Sequence, residues 1–207
     1  MHIEPMSLRA LGAACAIVLG AACSDSTARS RDDAGADVTD AAVSSGACVI
    51  GAESARCESK TVETLQGRAV YWNEPDGKAP SGGWPAVILY QGSLYGPSRS
   101  WNVELPKSTP YGGYYQVALI ASLLAHGFVV VQPEALNGQV WQTNSGGDYA
   151  ASSDASFIPA LLDAMAQGTF GAVDTERLYA TGISSGGYMT SRMAVSYPGK
   201  FRALAIE

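Results

Sequence analysis

Histidine is scarce in this sequence: 207 residues hold only His2 and His126. A hydrolytic mechanism that needs an imidazole base therefore has little to draw on. Charge is also sparse, at 15% of residues against 47% hydrophobic, the balance of one ordinary globular domain rather than of a disordered chain. The basic excess that a nucleic-acid partner would require is missing. The formal net charge is −6, and residues 24–46 set five aspartates against Arg29 and Arg31, so half of that excess lies in one polar stretch. No apolar run reaches the roughly 20 residues that a membrane-spanning helix needs. There is no internal repeat.

The one apolar run at the N-terminus, Ala10 to Leu19 after Arg9, is short and ends in Gly20-Ala21-Ala22 before Cys23. That is the layout of a removable export signal over residues 1–22. Cys15 leaves with it, and Cys23, Cys48 and Cys57 remain, three residues that cannot all pair. In an oxidising compartment Cys48 and Cys57 are the natural disulfide, closing a small loop ahead of the first strand. Cys23 then heads the mature chain. Either it carries a lipid, as in a bacterial lipoprotein tethered to a membrane, or the protein is simply secreted. The pattern before it resembles a lipobox, with Gly20 where leucine is more usual.

Residues 24–47 are built from Ser, Ala, Asp and Gly, with too little apolar surface to offset the entropy of ordering. They read as a disordered tether, with the folded domain running over 48–207. Within it, strands and helices alternate. Thr64 to Trp72 reads as the first strand, ended by Pro75-Asp76-Gly77, and the apolar run Trp84 to Tyr90 as a strand buried on both faces. Gly113 to His126 has helical spacing and closes on Gly127. Phe128 to Val131 is another buried strand, and Ser156 is placed to cap a helix with Pro159 in its first turn. Arg177 to Thr181 is a strand, Ser185 to Tyr197 a helix, and Ala203 to Ile206 one more strand. The fold class is α/β, a mostly parallel sheet with helices on both faces.

The chemistry is concentrated in Gly182-Ile183-Ser184-Ser185-Gly186. Gly-x-Ser-x-Gly between a strand and a helix is the nucleophile elbow, in which a sharp turn projects the serine hydroxyl from the sheet and glycines let helix and strand approach. Ser184 is the candidate nucleophile and the N–H of Ser185 one oxyanion donor, helped by the partial positive charge of the helix start. A second donor is expected from the loop after the Val87 to Tyr90 strand, Gln91-Gly92-Ser93-Leu94-Tyr95-Gly96, where many esterases have His-Gly; the candidate is the N–H of Ser93. His126, at a helix end, reads as a residue bonded to the last carbonyls. His2 lies in the removed segment. In hydrolase order the acid and the histidine follow the serine, so both are expected beyond Glu207, the chain reading as the N-terminal part of its catalytic domain. Trp141 and Tyr149, in the segment 137–153, are candidates for substrate contact. The chemistry calls for no metal or cofactor.

Gly182-Ile-Ser-Ser-Gly-Gly with Met189-Thr-Ser-Arg-Met-Ala and Tyr197-Pro, together with Tyr90-Gln-Gly-Ser and Tyr95-Gly-Pro-Ser, resembles the extracellular depolymerases of medium-chain-length polyhydroxyalkanoates. Those are alpha/beta hydrolases with the same Gly-Ile-Ser-Ser-Gly box, and the likeness runs from about Thr64 to the end. Less closely, the stretch is similar to short-chain polyester depolymerases and feruloyl esterases. The resemblance implies a serine nucleophile at Ser184, an aspartate and a histidine downstream, and a hydrophobic polyester as substrate. Two other readings stand beside it: a carboxylesterase acting on small or feruloyl-type esters, and a non-catalytic surface lipoprotein that keeps the hydrolase half-fold for binding. Nothing in the sequence sets the oligomeric state.

Overall fold

A computed structural model describes residues 43–143 and 148–207. The export signal, Cys23 and residues 24–42 lie outside the described residues, as does 144–147 in the segment proposed for substrate contact. The elements in chain order are β1 (Val43–Ser45), β2 (Cys48–Ile50), β3 (Ser54–Cys57), β4 (Glu63–Leu65), β5 (Arg68–Asn73), β6 (Trp84–Tyr90), β7 (Leu105–Pro106), α1 (Gly113–Ala125), β8 (Val129–Pro133), α2 (Ser153–Ala166), β9 (Val173–Gly182), α3 (Ser185–Ser196) and β10 (Phe201–Ile206).

The main sheet has the order β10-β9-β6-β8-β5-β4. Its first four strands are parallel, while β5 runs antiparallel to β8 and to β4. Helices joining parallel strands cover both faces, and the alternation of side chains along each strand shows how. Ile88 and Tyr90 of β6 and Val129 and Val131 of β8 point into a core with Phe157, Leu161 and Met165 of α2 and Met189 and Met193 of α3. Leu89 and Val130 point the other way, onto Val117, Ile120 and Leu124 of α1. This is an alpha/beta-hydrolase sheet, with the antiparallel start and the strand-turn-helix elbow after β9.

The second sheet, β1-β2-β3-β7, lies over α1. Cys48 and Cys57 face each other across β2 and β3 and form a disulfide. Its sulfurs sit in the α1 core beside Trp101 and Tyr114. The folded region begins earlier than position 48: β1 pairs antiparallel with β2, and the Gly46 N–H donates to Asp76 Oδ2 at 2.7 Å. Main-chain pairing, to which small polar residues are no obstacle, extends the fold into the segment read as tether.

Two elements differ from the sequence reading for local reasons. The single strand expected over Thr64 to Trp72 is a hairpin. Gln66 and Gly67, with φ of 48° and 76°, make the left-handed pair that a two-residue turn requires between β4 and β5. The helix expected to be capped by Ser156 is capped four residues sooner, by Ser152, whose side chain accepts from the Ala155 N–H at 3.2 Å. Pro159 therefore lies inside α2, where its missing N–H leaves the Ala155 carbonyl without its helical donor.

Candidate active site

Ser184 sits between the end of β9 and the start of α3 at φ 55°, ψ −117°. An L-residue pays for such a conformation, of order 1–3 kcal/mol, unless its surroundings enforce it. Here they do. The Ser184 N–H donates to the Glu207 carbonyl at 3.0 Å, the Glu207 N–H to the Gly182 carbonyl at 3.2 Å, and the Gly186 N–H to the Ile183 carbonyl at 2.8 Å. Glue of this kind needs close approach, which explains the two glycines. A Cβ on Gly182 would lie 2.5 Å from the Gly186 carbonyl carbon, and one on Gly186 would collide with the carbonyls of Tyr90 and Gln91. The result is an exposed hydroxyl at the carboxyl ends of the parallel strands, where open α/β sheets place their ligands.

Ser185 follows Ser184 in the chain, and Ser93 lines the same cleft. Ser185 opens α3, and among the described residues its N–H meets no acceptor; nor does that of Ser93. The loop carrying Ser93 abuts the elbow: a Cβ on Gly92 would be 3.3 Å from Ile183 Cγ2 and 3.9 Å from Ser184 Cβ. Gly92, Ser93, Ile183 and Ser184 share one cleft of about 470 Å³ with Tyr95, Tyr111, Gly112 and Gln116. That volume is in the range of small-molecule sites. Tyr111, 83% exposed, stands on it with φ 58°. Leu94, between two lining residues, has φ 61°. Among the described residues, three of the six non-glycine positions at positive φ thus gather around one hydroxyl, and backbone strain of this sort concentrates at functional sites.

Trp141 and Tyr149 are placed elsewhere. Trp141 is 4% exposed, packed edge-on against Tyr90 with ring centres 5.2 Å apart, and donates its indole N–H to the Gln91 carbonyl at 3.1 Å. It is a core residue bonded to the start of the loop that carries Ser93, and it does not line the cleft. Tyr149 packs against the same core under the Arg192 guanidinium, 4.8 Å from the ring centre. Burial first, then repulsion from Tyr197 and Asp154, raises its phenol pKa. Gln142, next to Trp141, is held by a buried ion pair. Asp154 Oδ1 takes Arg68 Nη1 at 2.5 Å, and its Oδ2 takes the Gln142 N–H.

His126 has the structural role expected of it. Its Nδ1 lies 2.7 Å from the Ser122 carbonyl oxygen at the C-terminal cap of α1. It lines a hollow with Trp84, the first residue of β6, whereas Ser184 lies beyond the last. Seven strand residues, roughly 20 Å, separate the two ends. No histidine among the described residues reaches Ser184.

What the sequence did not single out is Gln91. Its side chain is fully buried and ties the loop that carries Ser93 to the loop after β8. Oε1 accepts from the Ala135 N–H at 3.0 Å, and Nε2 donates to the Gly92 and Gly138 carbonyls, each at 3.3 Å. The Leu94 N–H adds a bond to the Gln139 carbonyl at 2.9 Å. A polar residue ending a run of seven apolar or ring-bearing ones was the available signal.

Several known proteins are similar to this chain in sequence. The profile of the prolyl oligopeptidase family matches residues 115–207. A poly(3-hydroxyoctanoate) depolymerase of Pseudomonas fluorescens is 48% identical over 143 residues, which is 68% of this chain and 50% of that protein. The chain therefore spans about half the length of that relative. Among solved structures, an acetyl xylan esterase from Aspergillus awamori aligns with a TM-score of 0.48 at 21% identity, over 70% of this chain and 50% of the other. A thermostable esterase aligns at 0.45 and 18%, over 66% and 36%. The chain belongs to the family of the depolymerases of medium-chain-length polyhydroxyalkanoates, as the residues of the elbow suggested.

Proposed function

From a strained serine elbow in a chain that resembles a poly(3-hydroxyoctanoate) depolymerase, we propose a serine esterase that hydrolyses a hydrophobic aliphatic polyester. The observation that carries the proposal is the backbone of Ser184. A fold with no use for an exposed nucleophile has no physical reason to hold a serine at φ 55°.

In this mechanism Ser184 Oγ attacks the ester carbonyl and gives its proton to a histidine that is not among the described residues. The N–H groups of Ser185 and Ser93 receive the charge that develops on the carbonyl oxygen. Collapse of the tetrahedral species returns the proton to the leaving alkoxide, the hydroxyl end of the next monomer. Water then releases the acid from the acyl-enzyme by the same steps in reverse roles. The cleft beside Ser184, lined by Tyr95, Tyr111 and Ile183, gives an apolar side group a place to lie.

The leader-like N-terminus and the Cys48–Cys57 disulfide support an extracytoplasmic location, with Cys23 as the site of a lipid tether. Palmitate incorporation in the wild type and its loss in Cys23→Ala test that tether; equal labelling of both, or of neither, rejects it.

The size of the cleft also favours a second reading, a carboxylesterase of small or feruloyl-type esters. Polymer granules and a soluble p-nitrophenyl ester, given to the full-length protein, separate the two. Clearing of granules together with soluble turnover is the expected result. Soluble turnover without clearing selects the small-ester reading, and activity undiminished in Ser184→Ala overturns both. Binding of granules with no turnover of either ester would instead select the lipoprotein reading.

A further inference from the structure

We propose that the Gln91 side chain is the positioning residue of the oxyanion site: it sets where the Ser93 N–H points. The inference rests on the esterase reading of Ser184 and goes beyond it, because Gln91 is fully buried and does not line the cleft.

A primary amide both donates and accepts hydrogen bonds. Gln91 offers one oxygen acceptor and two N–H donors, and the surroundings fix which end is which. The Ala135 N–H faces one atom, and the carbonyls of Gly92 and Gly138 face the other. Only one orientation of the amide satisfies all three. The side chain thus locks the peptide after Gly92, the unit whose N–H belongs to Ser93, through the carbonyl of that same peptide. Fixing the oxygen of a planar amide fixes the direction of its N–H. No other side chain among the described residues bonds to the Gly92 carbonyl, although the Tyr95 N–H also donates to it, at 3.2 Å.

The main chain of Gln91 is held as firmly. Its carbonyl accepts the Trp141 indole N–H, and the adjoining strand β6 pairs with β9 up to Tyr90 and Gly182. One residue therefore joins three parts of the site: the strand that carries the oxyanion loop, the loop after β8, and the Ser93 amide. A hydrogen-bond donor helps a developing oxyanion only if it is aimed before the charge appears. The buried amide of Gln91 supplies that aim.

The test uses two variants of the full-length protein. Gln91→Met keeps the volume and removes all three bonds. Gln91→Glu keeps the shape and sets a carboxylate oxygen against two carbonyls. With a soluble ester, kcat is expected to fall about 10- to 100-fold in both, short of the loss seen on deleting a donor outright, while KM stays within about twofold. The readout that a purely structural role would not move is the Ki of a trifluoromethyl ketone, whose hemiketal oxygen occupies the oxyanion position. Ki should rise in proportion to the loss of kcat. Trp141→Phe, which removes the bond to the Gln91 carbonyl together with part of the buried indole, should show the same pattern more weakly.

A kcat within twofold of wild type in both variants overturns the proposal. So does a fall in kcat with Ki unchanged, which reports lost folded enzyme rather than a misdirected donor. Failure of the esterase reading is recognised separately, by ester hydrolysis that survives Ser184→Ala.

Discussion

The indole N–H of Trp141 donates to the main-chain carbonyl of Gln91 across 3.1 Å, and Trp141 does not line the cleft. A residue in that position serves every substrate alike. Trp141→Ala is therefore expected to lower polymer and soluble-ester turnover by the same factor and to destabilise the fold by about 3–5 kcal/mol, the usual cost of emptying an aromatic core site. Parallel activity assays and urea denaturation check this. A loss confined to the polymer would return Trp141 to substrate contact.

Gly186 has no room for a side chain. A Cβ there would run into the carbonyls of Tyr90 and Gln91, and main-chain atoms cannot rotate aside as a side chain can. Gly186→Ala should push α3 away from β6, cost upwards of about 2 kcal/mol as overpacking does, and reduce kcat by disturbing the Ser185 donor. Thermal denaturation and ester kinetics on one preparation would show both effects together.

These two residues mark what could be read in advance. The elbow was legible because Gly-x-Ser-x-Gly states a local geometric demand that sequence alone carries, and the structure meets that demand at Gly182, Ser184 and Gly186. The buried strands were legible because Trp84 to Tyr90 and Val129 to Val131 must face two cores at once. Trp141 was not, since an aromatic in a loop gives no sign of which way it turns; that was decided by the Tyr90 ring and the Gln91 carbonyl, 51 and 50 residues upstream. The hairpin at Gln66-Gly67 was missed because its alternation continues through the turn, and only the glycine at φ 76° marks the break. Gln91 was hidden because its partners, Ala135 and Gly138, bond through their main chains, which sequence does not distinguish.

The disulfide joins facing residues of β2 and β3 nine positions apart. Loop-closure entropy for so short a loop predicts about 2.5 kcal/mol. Cys48→Ser combined with Cys57→Ser should lower stability by that order and loosen the small sheet over α1. Denaturant titration of the oxidised and doubly substituted proteins gives the difference, and no change in midpoint would count against a stabilising role.

Tyr90 is fully buried, and its hydroxyl has no partner among the described residues. Burial, followed by repulsion from Tyr149, Tyr197 and Asp154, holds that hydroxyl protonated well past the ordinary phenol range. The unfolded chain releases the proton near pH 10, the folded one only at higher pH. The contribution to stability is therefore whole below about pH 10 and is lost as pH climbs from there toward the folded-state value. Tyr90→Phe should flatten that alkaline slope. At pH 7 it should also add about 1 kcal/mol by removing an unsatisfied buried group. Urea melts of both proteins at neutral and alkaline pH measure the two effects.

The central claim is that Ser184 is a nucleophile held ready by its own backbone. Its most direct test is covalent: treat the full-length protein with a fluorophosphonate, digest it, and locate the adduct by peptide mass spectrometry. The account predicts a single modification on Ser184 that disappears in Ser184→Ala. Modification of another serine in its place, or none under conditions that label a control serine hydrolase, would contradict it.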